Sequence, residues 1–281
     1  MKKLLIFDLD GVIYRGEEPI ARASESIAAL RGLGIDVRFL TNNSTRSRGF
    51  YRDKMRLMDI PCESEDIMSS AYATRIYLEE RSPDGARIFI VGERGIADEL
   101  ADRFTIVGPE ERATADYVVV GMDREFNYEK MTHATDALMA GAELIATNRD
   151  ATYPMPNGYL LPGGGTIVAA LAEFWGRDPH IAGKPDPLGI HYMMKAAGAA
   201  RGEVLLIGDR PATDMVTGRR AGVESCLVLT GVTAANEVPG LAGELKPDYV
   251  IENLSGLLAL GCIAGAAPAN TAKENEAQRA V

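Results

Sequence analysis

The sequence predicts an α/β protein: a doubly wound, mainly parallel sheet with a second α/β unit inserted into it. Three observations carry that expectation. Short apolar runs of strand length alternate with segments of helical periodicity, the rhythm of a parallel sheet covered by helices on its faces. Several of these runs stop on acidic or small polar residues, as strands do where their carboxyl ends border a ligand crevice. At residue 80 the turn-rich stretch ERSPDGAR opens a new series of strands and helices, and the first pattern resumes near residue 178.

Taken in order, KLLIFDL reads as a strand, and ARASESIAALRGLG carries apolar residues at helical spacing before Gly32 and Gly34 close it. DVRFLTNNS is a second strand, and RGFYRDKMRLMDIPC a helix stopped by Pro61. In the middle region RIFIVG, FTIVG, DYVVVGMD and ELIATN read as strands, with ERGIADELAD and YEKMTHATDALMAG as helices between them. NRDATYPMPNGYLLPGGG is a long loop or hairpin, followed by helical TIVAALAEFWG. The last region holds the helix PLGIHYMMKAAGA, the strand EVLLIGD, helical ATDMVTGRRAG and the strands ESCLVLTG and PDYVIENL. The division expected is a discontinuous core of residues 1–79 and 178–262, an inserted unit of 80–177, and a disordered Ala-rich tail of 263–281.

Composition narrows the function. A chain of 281 residues that is 46% hydrophobic is long enough for a full core, and a net charge of −10 argues against a nucleic acid as partner. Cys62, Cys226 and Cys262 are odd in number and show no CxxC spacing, so neither a disulfide framework nor a zinc site is indicated and a cytoplasmic location is expected. The apolar run after Lys2 and Lys3 ends at Asp8, too short for a signal peptide, and no stretch is long enough to span a membrane. GLGIDVR holds a GxG but follows a helix and lacks the third glycine, and no GxxxxGK[ST] occurs, so dinucleotide and P-loop chemistry are set aside.

The chemistry lies at the predicted strand ends. Residues two apart in an extended segment point the same way, so Asp8 and Asp10 can converge on one small volume. Two carboxylates there repel each other unless a cation or proton intervenes. Mg²⁺ suits such a site, because it takes oxygen ligands, keeps several waters and is held by one or two carboxylates together with a substrate phosphate. GDRPATD adds Asp209 and Asp214, and Lys184 in GKPDP can balance the remaining charge. Taken singly, Asp8 and Asp209 are more often turn formers or helix caps, Asp214 is equally a cap or first-turn acid, and Lys184 a solvated lysine. Together, at matching strand ends, they favour a metal and phosphate site.

DLDGVIYRG, LTNNS, GKPDP and GDRPATD, in that order, resemble the four signature motifs of the haloacid dehalogenase (HAD) superfamily. The insertion between the second and third motifs resembles the large α/β cap of the NagD-like, 4-nitrophenylphosphatase-type (subclass IIA) phosphatases. The resemblance covers nearly all of the chain except the tail, and implies a Rossmann-like core that hydrolyses a small phosphorylated metabolite. Its pattern makes Asp8 the nucleophile that becomes an aspartyl phosphate, and Asp10 the acid that protonates the leaving oxygen and then activates water. Thr41 would bond a phosphoryl oxygen, with the backbone around Asn42 and Asn43, and Lys184 would neutralise charge. Mg²⁺ would sit on Asp8, the main-chain carbonyl of Asp10 and Asp209, with Asp214 acting directly or through water. Pro211 and Ala212, and the Gly-rich PGGGT, depart from the usual pattern, which bears on substrate fit and not on the reaction.

In the cap, Asp123, Asn148, Arg149 and Asp150 are the candidates for facing the leaving group, each as readily a surface polar residue. His133, His180 and His191 show no partner spacing and receive no role, and Trp175 is expected to pack the cap. The substrate expected is a phosphate ester such as a nucleoside monophosphate, phosphoglycolate, glycerol phosphate or a sugar phosphate, with an aryl phosphate turned over in vitro. The resemblance leaves room for a homodimer through the cap. Two other readings use similar residues: a phosphotransferase or phosphomutase that passes the phosphoryl group to a hydroxyl, and a receiver-like signalling protein. The long insertion speaks against a receiver.

Overall fold

The computed structural model describes residues 1–154 and 159–264. Six parallel strands form the first sheet, in the order Tyr249–Ile251, Glu224–Val228, Val204–Gly208, Leu4–Phe7, Asp36–Thr41, Ile67–Ser69. Numbered along the chain this is the order 6-5-4-1-2-3. It is that of a doubly wound fold, whose switch point lies between Leu4–Phe7 and Val204–Gly208. Both of those strands are buried on both faces, which is why they read as continuous apolar runs instead of alternating ones. Leu5 and Phe7 pack with Phe39, Tyr51, Met55 and Leu30 on one face, while Leu4 and Ile6 pack with Ile76, Ile190 and Met193 on the other. Each such fully buried side chain contributes about 1.5–3 kcal/mol.

Helices Ala23–Gly32 and Arg48–Leu57 supply the first layer, and Ser70–Arg81 and Leu188–Ala197 the second. A second sheet of five parallel strands runs His180–Ile181, Glu143–Ala146, Tyr117–Val120, Arg87–Val91, Thr105–Ile106. Tyr117–Val120 sends Val118 and Val120 to one apolar cluster and Tyr117 and Val119 to another, so this sheet too is covered on both faces. The predicted loop or hairpin is a hairpin, Thr152–Pro154 against Leu160–Pro162. Trp175 packs against the Phe89 and Leu171 cluster, as expected.

Several boundaries move. His180–Ile181 pairs with Ile145 and Ala146 of the second sheet, so the inserted unit reaches beyond residue 177. Helix Ser70–Arg81 runs through residue 79, and its start is fixed by Ser69, whose hydroxyl accepts from the Tyr72 amide. Ile263, in the short helix Gly261–Ala264, is buried against the first core cluster, so packed chain extends past residue 262. The remainder of the tail, 265–281, lies outside the described residues. ATDMVTGRRAG is not one helix: Pro211–Met215 forms a wider π turn before the helix Val216–Ala221. Among the described residues no helix is long and apolar enough to cross a membrane.

Candidate active site

At the switch point the first strand ends in Phe7, and the chain continues through Asp8, Leu9 and Asp10. Leu9 is fully buried in the core, so the two aspartates leave on the opposite side, at the carboxyl end of the sheet. Gly11 then turns the chain at φ +83°, and a Cβ there would lie 2.6 Å from Asp209 Oδ2. Only glycine satisfies both conditions.

Asp8, Asp209 and Asp214 are all buried, and each offers a carboxylate oxygen within 4.8 Å of the others. Lys184 Nζ stands between them, 2.8 Å from Asp8 Oδ1 and 2.7 Å from Asp214 Oδ1. Asp8 Oδ1 also accepts from the Leu9 amide at 2.8 Å, whereas no bond to Oδ2 is found among the described residues. The Val232 amide donates to Asp209 Oδ2 at 2.7 Å, and the Arg210 amide to Asp214 Oδ2 at 3.0 Å.

These contacts set the charge state. Burial pushes the Asp8 carboxyl well above the usual carboxylate range, Lys184 pulls it back, and the Asp214 and Asp209 charges add to the rise. Burial, reinforced by Asp214, pushes Asp209 up to about 6 against its hydrogen bond from Val232. Burial alone would lower Lys184, but Asp214 and Asp8 outweigh it and raise its pKa, so the ammonium stays charged. Three carboxylates around one ammonium leave surplus negative charge in a poorly solvated place, and a hard, oxygen-loving divalent cation fits that donor set. Asp10 is raised by burial against the lowering charges of Lys54, Lys184 and Arg210, and is not among the three clustered carboxylates.

The cavity above these groups measures about 590 Å³ and is lined by Asp8, Asp10, Thr41, Asn43, Lys184 and Asp209 at its base. Thr41 Oγ1 accepts from the Asn43 amide at 3.1 Å, and Asn43 Oδ1 turns the loop by accepting from Thr45. Asn42 also lines the cavity, and its Nδ2 is engaged by Asp150 Oδ2 at 3.1 Å and the Lys184 carbonyl at 3.0 Å. Of the four polar residues singled out in the inserted unit, Asn148 and Asp150 line the cavity. Asp123 instead pairs with Lys130 at 2.8 Å and caps its own loop, and exposed Arg149 pairs with Asp178. His133 lies edge-on to Phe89 and His180 stacks on Tyr77, neither in the cavity wall. Arg15, Tyr153, Arg210, Thr213 and Val232 do line it and carried no role in the sequence reading. Arg210 and Thr213 lie inside GDRPATD, between its two acids, which is the one signal that pointed to them.

Comparison with known proteins agrees with this geometry. A model of haloacid dehalogenase-like hydrolases matches residues 5–103, and a HAD-hydrolase-like model matches 181–257. The chain is 35% identical to the 5'-nucleotidase YutF of Bacillus subtilis over 250 residues, covering 89% of this chain and 95% of that one. It belongs to the haloacid dehalogenase-like hydrolases. Its fold matches a p-nitrophenyl phosphatase from Archaeoglobus fulgidus with a TM-score of 0.84 at 35% identity, covering 92% and 98% of the two chains. It also matches the glycerol phosphate phosphatase Rv1692 of Mycobacterium tuberculosis, solved in complex with magnesium, with a TM-score of 0.83 at 32% identity and coverage of 91% and 77%. Within the family it is a NagD-like phosphatase.

Proposed function

We propose that this chain is a Mg²⁺-dependent phosphomonoesterase of small metabolites that works through an aspartyl phosphate on Asp8. The observation that carries the reading is the buried group of Asp8, Asp209 and Asp214 with Lys184 Nζ bridging Asp8 and Asp214. Asp8, the main-chain carbonyl of Asp10, Asp209 and Asp214 would hold Mg²⁺, which when bound supplies positive charge beside the nucleophile and the phosphoryl oxygens.

The residues then divide the work. Lys184 and the Leu9 amide hold Asp8 Oδ1, which leaves Oδ2 to attack phosphorus. As the new bond from Asp8 to phosphorus forms, the ester P–O bond breaks, and Asp10 gives its proton to the departing oxygen. Burial raises the Asp10 pKa, which favours the protonated acid this step needs. Asp10 then takes a proton from water, the hydroxide attacks the phosphorus of the acyl phosphate, and inorganic phosphate leaves with Asp8 restored. Thr41 and Lys184, both in the cavity wall, would stabilise the equatorial oxygens through hydroxyl and ammonium.

The similar proteins carry different substrate names: a 5'-nucleotidase, a p-nitrophenyl phosphatase and a glycerol phosphate phosphatase. The cavity has room for leaving groups of that range, so nucleoside monophosphates, phosphoglycolate, glycerol phosphate and sugar phosphates are the substrates to test. The test is phosphate release from such a panel, with and without Mg²⁺, beside Asp8→Asn. Metal-dependent release that Asp8→Asn abolishes supports the reading. Release that survives chelation, or survives Asp8→Asn, overturns it.

A further inference from the structure

One cap residue touches the core exactly where its charged loops meet. Asp150 Oδ2 accepts from Asn42 Nδ2 at 3.1 Å, and the same Asn42 Nδ2 donates to the Lys184 carbonyl at 3.0 Å. On its other side Asp150 Oδ1 faces Arg210 Nη1 at 3.8 Å, an ion pair with each side chain 23% exposed. The Arg210 amide in turn donates to Asp214 Oδ2. Asp150 is held in place from within the cap, where its amide donates to Asn148 Oδ1 and its carbonyl accepts from Gly165, and Asn148 Nδ2 in turn reaches the core by donating to the Asn42 carbonyl at 2.7 Å.

Asn42 is therefore a junction and not a surface amide. Its carbonyl takes the Asn148 side chain and the Ser70 hydroxyl, and its side chain spans Asp150 and the main chain of Lys184. The two acceptors facing Nδ2 fix the orientation of the amide, since a flipped group would place oxygen against oxygen twice. Asn42 is 8% exposed, so losing one acceptor leaves a donor poorly served by water.

We propose that Asp150 is a positioning residue for phosphoryl transfer: it acts through Asn42 on the backbone of Lys184 and through Arg210 on the Asp209–Asp214 loop. Seating of the cap and alignment of the Lys184 ammonium against Asp8 are then a single event. This inference rests on the phosphatase mechanism proposed above and assigns Asp150 no contact with the reacting atoms. Phosphoryl transfer is sensitive to such support, because displacements of about 1 Å cost up to about a hundredfold in rate.

The experiment compares Asp150→Ala and Asp150→Asn with the wild-type full chain, using p-nitrophenyl phosphate and saturating Mg²⁺, with melting temperature measured in parallel. Asp150→Ala is expected to lower kcat about tenfold, equal to a barrier change of about 1.4 kcal/mol, with KM changed by less than about threefold. Asp150→Asn keeps an oxygen for Asn42 Nδ2 and is expected to recover at least half of the lost kcat. If Asp150→Ala fails to fold, the near-isosteric Asp150→Asn paired with Asn42→Ala replaces it, and Asn42→Ala is then the variant expected to show the kcat loss. An unchanged kcat, a loss confined to KM, or an Asn variant no better than the Ala variant overturns the proposal. Failure of the underlying mechanism looks different, since the wild type itself would then release no phosphate in a metal-dependent way.

Discussion

Gly231→Ala is a one-carbon change that probes the metal site without replacing a titratable group. A Cβ on Gly231 would lie 1.8 Å from Asp209 Oδ2, 2.3 Å from its Cγ and 2.4 Å from its Cβ. Non-bonded carbon contacts sit near 3.5–4.0 Å, so the carboxylate or the loop must retreat by about 1.5 Å. The Asp209 carboxylate is buried and accepts from the Val232 amide at 2.7 Å, a bond that such a retreat breaks. Overpacking of this kind costs about 1–3 kcal/mol of stability. The catalytic cost is of similar size, because moving one oxygen of the cluster by more than 1 Å lowers turnover by about a hundredfold, or about 2.7 kcal/mol in the barrier. Phosphate release titrated against Mg²⁺ should show both a lower plateau and a higher metal requirement, in a protein that still melts cooperatively. A variant with the wild-type plateau and the wild-type metal requirement would refute the reasoning.

Further outcomes follow from the same contacts. Lys184→Met leaves Asp8 and Asp214 buried without their ammonium, so the metal-free protein should lose about 3–5 kcal/mol in denaturant unfolding, partly restored by Mg²⁺. Asp10→Asn should slow formation of the aspartyl phosphate from alkyl phosphates by about 10²–10⁴-fold, but from p-nitrophenyl phosphate much less, because that leaving group departs without a proton; an equal loss of this first step on both would remove Asp10 from the acid role. In the metal-free protein Asp209 is pushed up to about 6 from an ordinary 3.8, and Asp8 is raised in the same direction. A carboxyl with a raised folded pKa stabilises the fold fully below its unfolded value, and that contribution is lost as pH rises through the folded value. Melting temperatures without metal should therefore fall from pH 4 to above pH 6, and the increment given by Mg²⁺ should grow across that window as the cation displaces protons. An increment that is flat with pH would contradict the shared charge of the site.

How far the sequence reached depended on how local each feature is. Leu4–Phe7 and Val204–Gly208 were legible because a strand buried on both faces must be an apolar run, and the acids that follow them stand out, whereas Asp36–Thr41 showed in the alternation of half-buried Asp36 and Arg38 with buried Val37 and Phe39. Asp8 and Asp10 were legible as a pair because the strand period alone puts them on one side. Ile67–Ser69 and His180–Ile181 are too short to show any period, and they become strands only because neighbours offer them hydrogen bonds. The π turn at Pro211–Met215 was hidden for a related reason: its width serves the Arg210 and Asp214 bonds, which sequence spacing does not record. Lys184 was legible only as a charge able to balance the acids, with its role left to motif resemblance, and the structure shows why spacing could not place it, since its partners lie 176 and 30 residues away. The Asp150, Asn42 and Arg210 contacts join a cap loop to two core loops. Asp123 and Arg149 looked equally suited on paper, and only the docking of the two sheets separates them.

The central claim is that Asp8 carries the phosphoryl group in turn, and it can be measured directly. Wild-type protein mixed with a radiolabelled phosphate ester and Mg²⁺ is quenched in acid within milliseconds, and the trapped acyl phosphate is reduced with borohydride. The mechanism predicts covalent label at early times and, by peptide mass spectrometry, homoserine at position 8, with neither in Asp8→Asn. Rapid phosphate release with no covalent label, or label on any residue other than Asp8, contradicts it.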